Sequence, residues 1–331
     1  MEVRRFEETI GHEDTVSYIQ NSIRNGKVSH AYIFSGERGS GKKLLASLFA
    51  ATLQCKEGGT DPCGNCVSCK KAFTDSHPDI IYVTHEKPNV ISVDEIREQV
   101  VDTAQIRPYE SEYKIYIIDE AQKMNPQAQN ALLKTIEEPP EYVIVMLLAS
   151  NAEMLLSTIR SRCTVLDVKP VQTDKVKAYL MKNLHVSERE ADIVSAYADG
   201  NIGKARQAVL SEDFEQMMGK CLNLVTKTDE MSINQCISAA LAIAKDKQNI
   251  NVCLHIFTLW YKDVLTFKAT KDVDSLIFKN KIESLTYRAE HSSYEGLENI
   301  LNAINVAGTR IRANVNAETT MELLFLTIME N

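Results

Sequence analysis

Two stretches of this 331-residue chain carry side chains whose types and spacing suit phosphate or metal. The first is Gly36-Glu37-Arg38-Gly39-Ser40-Gly41-Lys42-Lys43, between the apolar run Ala31–Ser35 and a helical pattern. In that order Gly36, Gly39 and Gly41 let backbone N–H groups close around phosphate oxygens, and Lys42 reaches the β and γ phosphates. The next position normally offers Mg²⁺ a Ser or Thr hydroxyl. Here it is Lys43, whose ammonium has no lone pair for a cation and repels one. The expectation is a loop that keeps its shape but holds ATP and Mg²⁺ weakly or not at all. The second stretch is Cys55-x7-Cys63-x2-Cys66-x2-Cys69, with Gly58-Gly59, Pro62 and Gly64 allowing tight turns between the thiols. Four thiolates form a closed tetrahedral set for structural zinc, with no position left for water or substrate. His77 lies nearby, but a fifth ligand is unnecessary, and His77-Pro78 is expected to shape the next loop.

Two further groups are weaker alone. Lys114-Ile115-Tyr116-Ile117-Ile118-Asp119-Glu120 is an apolar strand ending in two acids. Asp119 could hold Mg²⁺ or its water and Glu120 could orient an attacking water, or the pair could simply cap the following turn. Ser161-Arg162-Cys163 follows the apolar run Val143–Ala149; by spacing alone Arg162 is a solvated surface arginine and Cys163 a buried thiol.

These residues need a scaffold, and the pattern around them supplies one. Ala31–Ser35, Ile80–Val83, Ile115–Asp119, Val143–Ala149 and Thr164–Val168 are short runs without polar alternation, as expected of strands covered on both faces. Helical patterns lie between them at Lys43–Thr52, at Val93–Thr103 behind a Ser92/Glu95 capping pair, and at Pro126–Glu138. Asn125 caps the last of these and Pro139-Pro140 ends it. The alternation predicts a parallel, three-layered α/β domain. Beyond Pro170 helices dominate. Ser187-Glu188-Arg189-Glu190 opens one to about Ala198, and Gly200 and Gly203 punctuate before another that runs to about Leu210. Farther on, Cys253, Ile256, Phe257, Trp260 and Val264 form one apolar helical stripe, and Leu297, Ile300, Leu301, Ile304, Ala307 and Ile311 another. Trp260 in such a stripe reads as core.

Composition narrows the classes. At 44% hydrophobic and 25% charged the chain is neither disordered nor fibrous, and its length suits two or three domains. No apolar run approaches a membrane span, and no apolar stretch follows Arg4-Arg5, so a cytoplasmic protein without a signal peptide is expected. A net charge of −8 disfavours unaided tight binding to duplex DNA but allows contact with DNA as part of an assembly.

Taken together, these motifs resemble one family. His30-Ala31-Tyr32-Ile33-Phe34-Ser35-Gly36, the four-cysteine insertion, Asn130-Ala131-Leu132-Leu133-Lys134-Thr135-Ile136-Glu137-Glu138-Pro139-Pro140 and Ser161-Arg162-Cys163 resemble the bacterial DNA polymerase III clamp-loader subunits. These are AAA+ proteins comprising the ATPase subunits gamma and tau and their relative delta-prime. The likeness covers 1–210 well and extends more weakly through Asn314-Val315-Asn316, Glu322 and Leu324. It implies a P-loop-type α/β domain over 1–168 with the zinc module at 55–69, a small helical lid over 169–210 and an all-α collar for oligomerisation over 211–331. It also implies gamma/tau and delta subunits as partners, the sliding clamp and primed DNA met through the assembled complex, and no membrane. Gamma and tau carry Thr where this chain has Lys43, and a nucleotide-sensing Arg where Gly200-Asn201-Ile202-Gly203-Lys204-Ala205 places Gly203; Arg206 lies nearly one turn farther on. Two departures in one site imply the delta-prime kind, without its own ATPase. In the family, the Arg matching Arg162 reaches a neighbouring subunit's ATP. The retained Lys42, Asp119 and Glu120 keep the alternative open, an active ATPase of the gamma/tau kind.

Overall fold

The computed structural model describes residues 3–246 and 249–331; Met1 and Glu2, the first residues of the expected 1–168 domain, lie outside them. The chain divides into two compact units, Met1–Val176 with Gly200–Lys204, and Lys177–Asp199 with Ala205–Asn331. Among the described residues no helix is long and apolar enough to cross a membrane.

The first unit is built on five parallel strands: β1 (Ala31–Ser35), β2 (Ile80–Tyr82), β3 (Lys114–Ile118), β4 (Val143–Ala149) and β5 (Thr164–Asp167). Their order in the sheet is β2-β3-β4-β1-β5, with β1 between β4 and β5. The strands end a residue earlier than the apolar runs suggested at β2, β3 and β5, so Asp119 stands just past β3. Side chains alternate between two cores. Ala31 and Ile33 join Tyr116, Ile118, Val145 and Leu147 on one face, against Ile96, Val100, Leu132 and Ile136. Tyr32 and Phe34 join Ile115, Ile117, Met146 and Leu148 on the other, against Ile19, Leu45 and Phe49. The helices supplying the second face are α1 (Glu13–Arg24) and α2 (Lys42–Leu53). Three layers result, and β3 and β4 are buried throughout, which explains their apolar sequence apart from Lys114, whose Nζ donates to Thr103 O and Ile106 O. The edge strand β5 departs from that pattern: only Leu166 is buried, because β5 has a neighbour on one side alone.

Local chemistry sets the helix ends. Asn125 Oδ1 accepts from Ala128 N at 2.8 Å, and Pro126 opens a helix that runs to Glu137 before Pro139-Pro140. Ser92 and Glu95 form the expected capping box, but the helix behind them is interrupted by a π turn over Arg97–Val101. Gly203 does not precede its helix. It is the second residue of Ile202–Leu210, whose entry is capped by Asn201 Oδ1 accepting from Lys204 N at 3.0 Å.

The second unit is all helical. The 21-residue helix Ile250–Thr270 runs through its core, and Phe257 meets Phe325 edge-on with ring centroids 5.8 Å apart. Trp260 is fully buried beside Phe278, as its place in an apolar stripe implied. Asp263, on the same helix, is buried and accepts from Ile277 N and Phe278 N at 2.9 and 2.7 Å.

Candidate functional site: a phosphate loop, a four-cysteine module and a surface arginine

The loop Gly36–Gly41 joins the C-terminal end of β1 to the N-terminus of α2. Gly39 (φ +86°) and Gly41 (φ +100°) adopt backbone conformations that side-chain-bearing residues rarely reach, which is why glycine stands there. The loop borders a cavity of about 330 Å³ lined by Gly39, Gly41, Lys42, Lys43, Asp119 and Glu120 among others. Sequence-distant candidates therefore do come together; Gly36 alone does not line the cavity but packs beneath it, against Val168.

Lys42, Lys43 and Glu120 there each have an intramolecular partner. Lys42 Nζ donates to the loop's own carbonyls, Gly36 O at 2.6 Å and Glu37 O at 2.8 Å. Burial lowers the Lys42 pKa, and Asp119, Glu120 and Glu37 oppose the shift. The Lys43 ammonium sits 5.4 Å from the centroid of the Tyr82 ring, a cation–π contact. Glu120 is ion-paired with Lys123 at 2.5 Å, and that hydrogen bond holds its carboxyl below the ordinary range. The His12 ring leans on the loop, its Nε2 3.3 Å from where a Cβ on Gly41 would stand; burial lowers its pKa, so the ring is neutral at neutral pH.

The segment Gly200–Lys204 docks directly onto the loop. Asn201 Nδ2 donates to Arg38 O at 2.8 Å and Gly203 N to Gly39 O at 3.0 Å. A Cβ on Gly203 would lie 2.6 Å from Gly39 O and 2.8 Å from Gly39 Cα, closer than real Cβ atoms come to backbone. No side chain fits at position 203 in this arrangement. Ser40 Oγ, also in the loop, is buried without a hydrogen-bond partner among the described residues.

The four cysteines converge as their spacing implied. Their sulfurs all lie within 4.8 Å of one another, and Cys63 Sγ and Cys69 Sγ are 3.9 Å apart. A tetrahedron with metal–sulfur bonds of about 2.3 Å has edges of about 3.8 Å, so the set fits one zinc ion. The short helix Val67–Phe73 begins at Cys66, whose sulfur accepts from Cys69 N at 3.3 Å; Cys63 Sγ accepts from Cys66 N at the same distance. Backbone amides of Cys66 and Asn65 bring the Cys63 thiol down to about 6, toward the thiolate that binds metal. His77 stands outside this set. Its Nδ1 accepts from Asp79 N at 3.1 Å and its Nε2 meets Ser68 Oγ at 3.0 Å, so it braces the following loop as expected.

Arg162 lies at the surface after the short helix Ser157–Arg160. Its Nη1 donates to Thr158 O at 2.9 Å and to Ser161 Oγ at 3.3 Å, and its Nε pairs with Glu137 Oε1 at 2.9 Å. Cys163 is only partly buried, because it precedes the edge strand, yet burial still pushes its thiol to about 12.

Residues 11–172 match the family described as "DNA polymerase III, delta subunit". DNA polymerase III subunit delta' of Bacillus subtilis is 30% identical over 316 residues, covering 94% of each chain. The chain belongs to the bacterial DNA polymerase III clamp-loader subunits, the family of delta-prime, gamma and tau. DNA polymerase III subunit tau of Bacillus subtilis is 29% identical across 91% of this chain, which spans 57% of that longer protein. Among solved structures, a gamma subunit-related protein of Thermotoga maritima aligns over 96% of this chain and 99% of its own, with 18% identity and a TM-score of 0.48. Membership brings the expected architecture, an AAA+-type parallel α/β domain, a cysteine cluster suited to structural zinc and a helical region beyond.

Four partners in these sites were not anticipated from the sequence: Lys123, Tyr82, Asn201 and Glu137. Lys123 and Glu120 stand three residues apart, a spacing that could have been noticed. The other three meet their partners only through the fold.

Proposed function

We propose that this clamp-loader subunit is of the delta-prime kind. In this reading it assembles with gamma/tau and delta subunits in the cytoplasm, helps to load the sliding clamp on primed DNA, and hydrolyses little or no ATP itself. Arg162 supplies an arginine finger to ATP bound by a neighbouring subunit. The chain works as three segments, the P-loop-type domain over 1–168, the lid over 169–210 and the collar over 211–331. The observation that carries the reading is the phosphate loop. Lys43 takes the magnesium-ligand position and its ammonium engages Tyr82, while Gly203 and Asn201 occupy the loop's Gly39–Arg38 side. Support for the finger lies in Arg162's place at the surface, 40% exposed in its side chain.

The experiment is reconstitution of the complex with wild-type or Arg162→Ala chain. A planar guanidinium on a transferring phosphoryl group contributes roughly 10³–10⁵ in rate at the site it serves. In a ring with several ATP sites the observed drop in clamp-stimulated turnover is smaller, because one site loses its finger. Lys at this position should not restore full activity, since a point charge lacks the planar fork. Normal clamp loading by the Ala variant in an intact complex would refute the assignment.

A second reading, an active ATPase of the gamma/tau kind, draws on a specific observation. Lys42, Asp119 and Glu120 share one cavity, as a working nucleotide site requires. ATP turnover by the isolated chain separates the two readings.

A further inference from the structure

Arg162 has five N–H donors, and two of them make hydrogen bonds. The two Nη1 hydrogens go to Thr158 O and Ser161 Oγ, while the Glu137 carboxylate lies 2.9 Å from Nε as an ion pair without hydrogen-bond geometry. Thr158 O belongs to the last turn of the helix Ser157–Arg160, where carbonyls lack intrahelical donors. The two N–H groups of Nη2 have no partner among the described residues. A guanidinium held at one edge and open at the other is already oriented before any anion arrives.

We infer that Glu137 is a positioning residue for Arg162: its carboxylate, ion-paired beside Nε, acts with the Nη1 bonds to Thr158 O and Ser161 Oγ to hold the guanidinium so that the Nη2 edge stays free for an anionic oxygen of a neighbouring subunit's nucleotide. This rests on the arginine-finger reading above. Glu137 is the last residue of the helix Pro126–Glu137, so its backbone is set by a capped, proline-terminated element. Asn125 at one end and Pro139-Pro140 at the other thus determine where the carboxylate stands. Glu138, one residue on, carries the same charge and is also exposed, but makes no ion pair among the described residues. The neighbour therefore provides an internal control for charge alone.

Half-exposed ion pairs contribute little to stability, and an orienting effect of that size corresponds to about two- to fivefold in rate. The test is steady-state ATPase by the reconstituted clamp loader with clamp and primed DNA, read as the part of kcat that Arg162→Ala abolishes. Glu137→Ala should lower that part about two- to fivefold, with KM for ATP unchanged. Glu137→Gln, which removes the charge of the ion pair, should lower it about as far as Glu137→Ala, and Glu137→Asp, which keeps the charge, should lower it less. Glu138→Ala should match wild type, and Glu137→Ala should add nothing to Arg162→Ala. If Arg162→Ala slows the complex while Glu137→Ala does not, the positioning role is wrong and the finger stands. If Arg162→Ala has no effect, both fall. A Glu137→Ala loss that persists on the Arg162→Ala background marks a structural role and also overturns the inference.

Discussion

Two helical glycines of this chain should respond oppositely to the same substitution. Gly203 and Gly219 both lie in helices, Ile202–Leu210 and Glu212–Lys227. Ala is favoured over Gly in helix interiors by about 0.8–1 kcal/mol, less near a terminus. At Gly219 a Cβ meets nothing within 4 Å, so Gly219→Ala should stabilise by about 0.5–1 kcal/mol. At Gly203 the Cβ would stand 2.6, 2.8 and 3.1 Å from Gly39 O, Cα and C. All three atoms are backbone of a loop already fixed by its φ values, so no rotamer change relieves the overlap. Overpacking of this kind costs about 1–3 kcal/mol, which outweighs the propensity gain and leaves Gly203→Ala destabilised by about 1–2 kcal/mol. The same contact blocks any larger residue, including the Arg expected here in a nucleotide-sensing relative. Urea unfolding of the full chain gives the stability order. Amide exchange at Gly203, whose N–H is bonded to Gly39 O, reports whether the docked segment has lifted. Equal stabilisation by both substitutions, with Gly203 exchange unchanged, would show that the segment is not held on the loop and would refute the argument.

The remaining predictions concern the metal, the nucleotide and pH. Elemental analysis of chain purified without chelator should find one zinc per molecule, and Cys69→Ser should lose it and loosen the segment 55–73; substoichiometric metal or a disulfide among the four would sink the assignment. Isolated chain should turn over little ATP, and Lys43→Thr alone should not restore it, because Glu120 stays paired with Lys123 and Gly203 stays on the loop; brisk wild-type turnover abolished by Lys42→Ala would count against this. Burial raises Asp263 from 3.8 to about 6, so the folded state binds the extra proton between those values and stability falls as pH rises through them, by about 3 kcal/mol in all. Asp263→Asn should remove that fall while keeping an acceptor for Ile277 N and Phe278 N; identical pH profiles for the two proteins, measured by urea midpoint from pH 4 to 7.5, would exclude the effect.

Much of the positioning frame was legible because its causes are local. Asn125, Pro126 and Pro139-Pro140 bound their helix within a residue, and the cysteine spacing encodes a cluster because short turns leave the thiols little freedom. Trp260 announced its burial through an apolar stripe at helical spacing. Gly203 was misread for the complementary reason. Within the sequence it looks like punctuation after Gly200, and only a contact with Gly39, far away in the chain, explains why a helix would tolerate it. The π turn at Arg97–Val101 and the half-bare edge strand β5 were likewise invisible to periodicity, which does not encode sheet order or a single inserted residue.

The division of labour in the proposal follows from which charges are already engaged. Lys42 is bonded to its own loop carbonyls, Lys43 rests on Tyr82, and Glu120 is held by Lys123. A nucleotide acting through them competes with these contacts, although Lys42 keeps one of its three N–H donors unused. At Arg162 no such competition arises, since its hydrogen bonds use Nη1, its ion pair lies beside Nε, and Nη2 is open among the described residues. A motif-bearing loop whose groups are committed internally, beside an arginine with an uncommitted edge, favours a subunit whose chemistry is exerted on a neighbour.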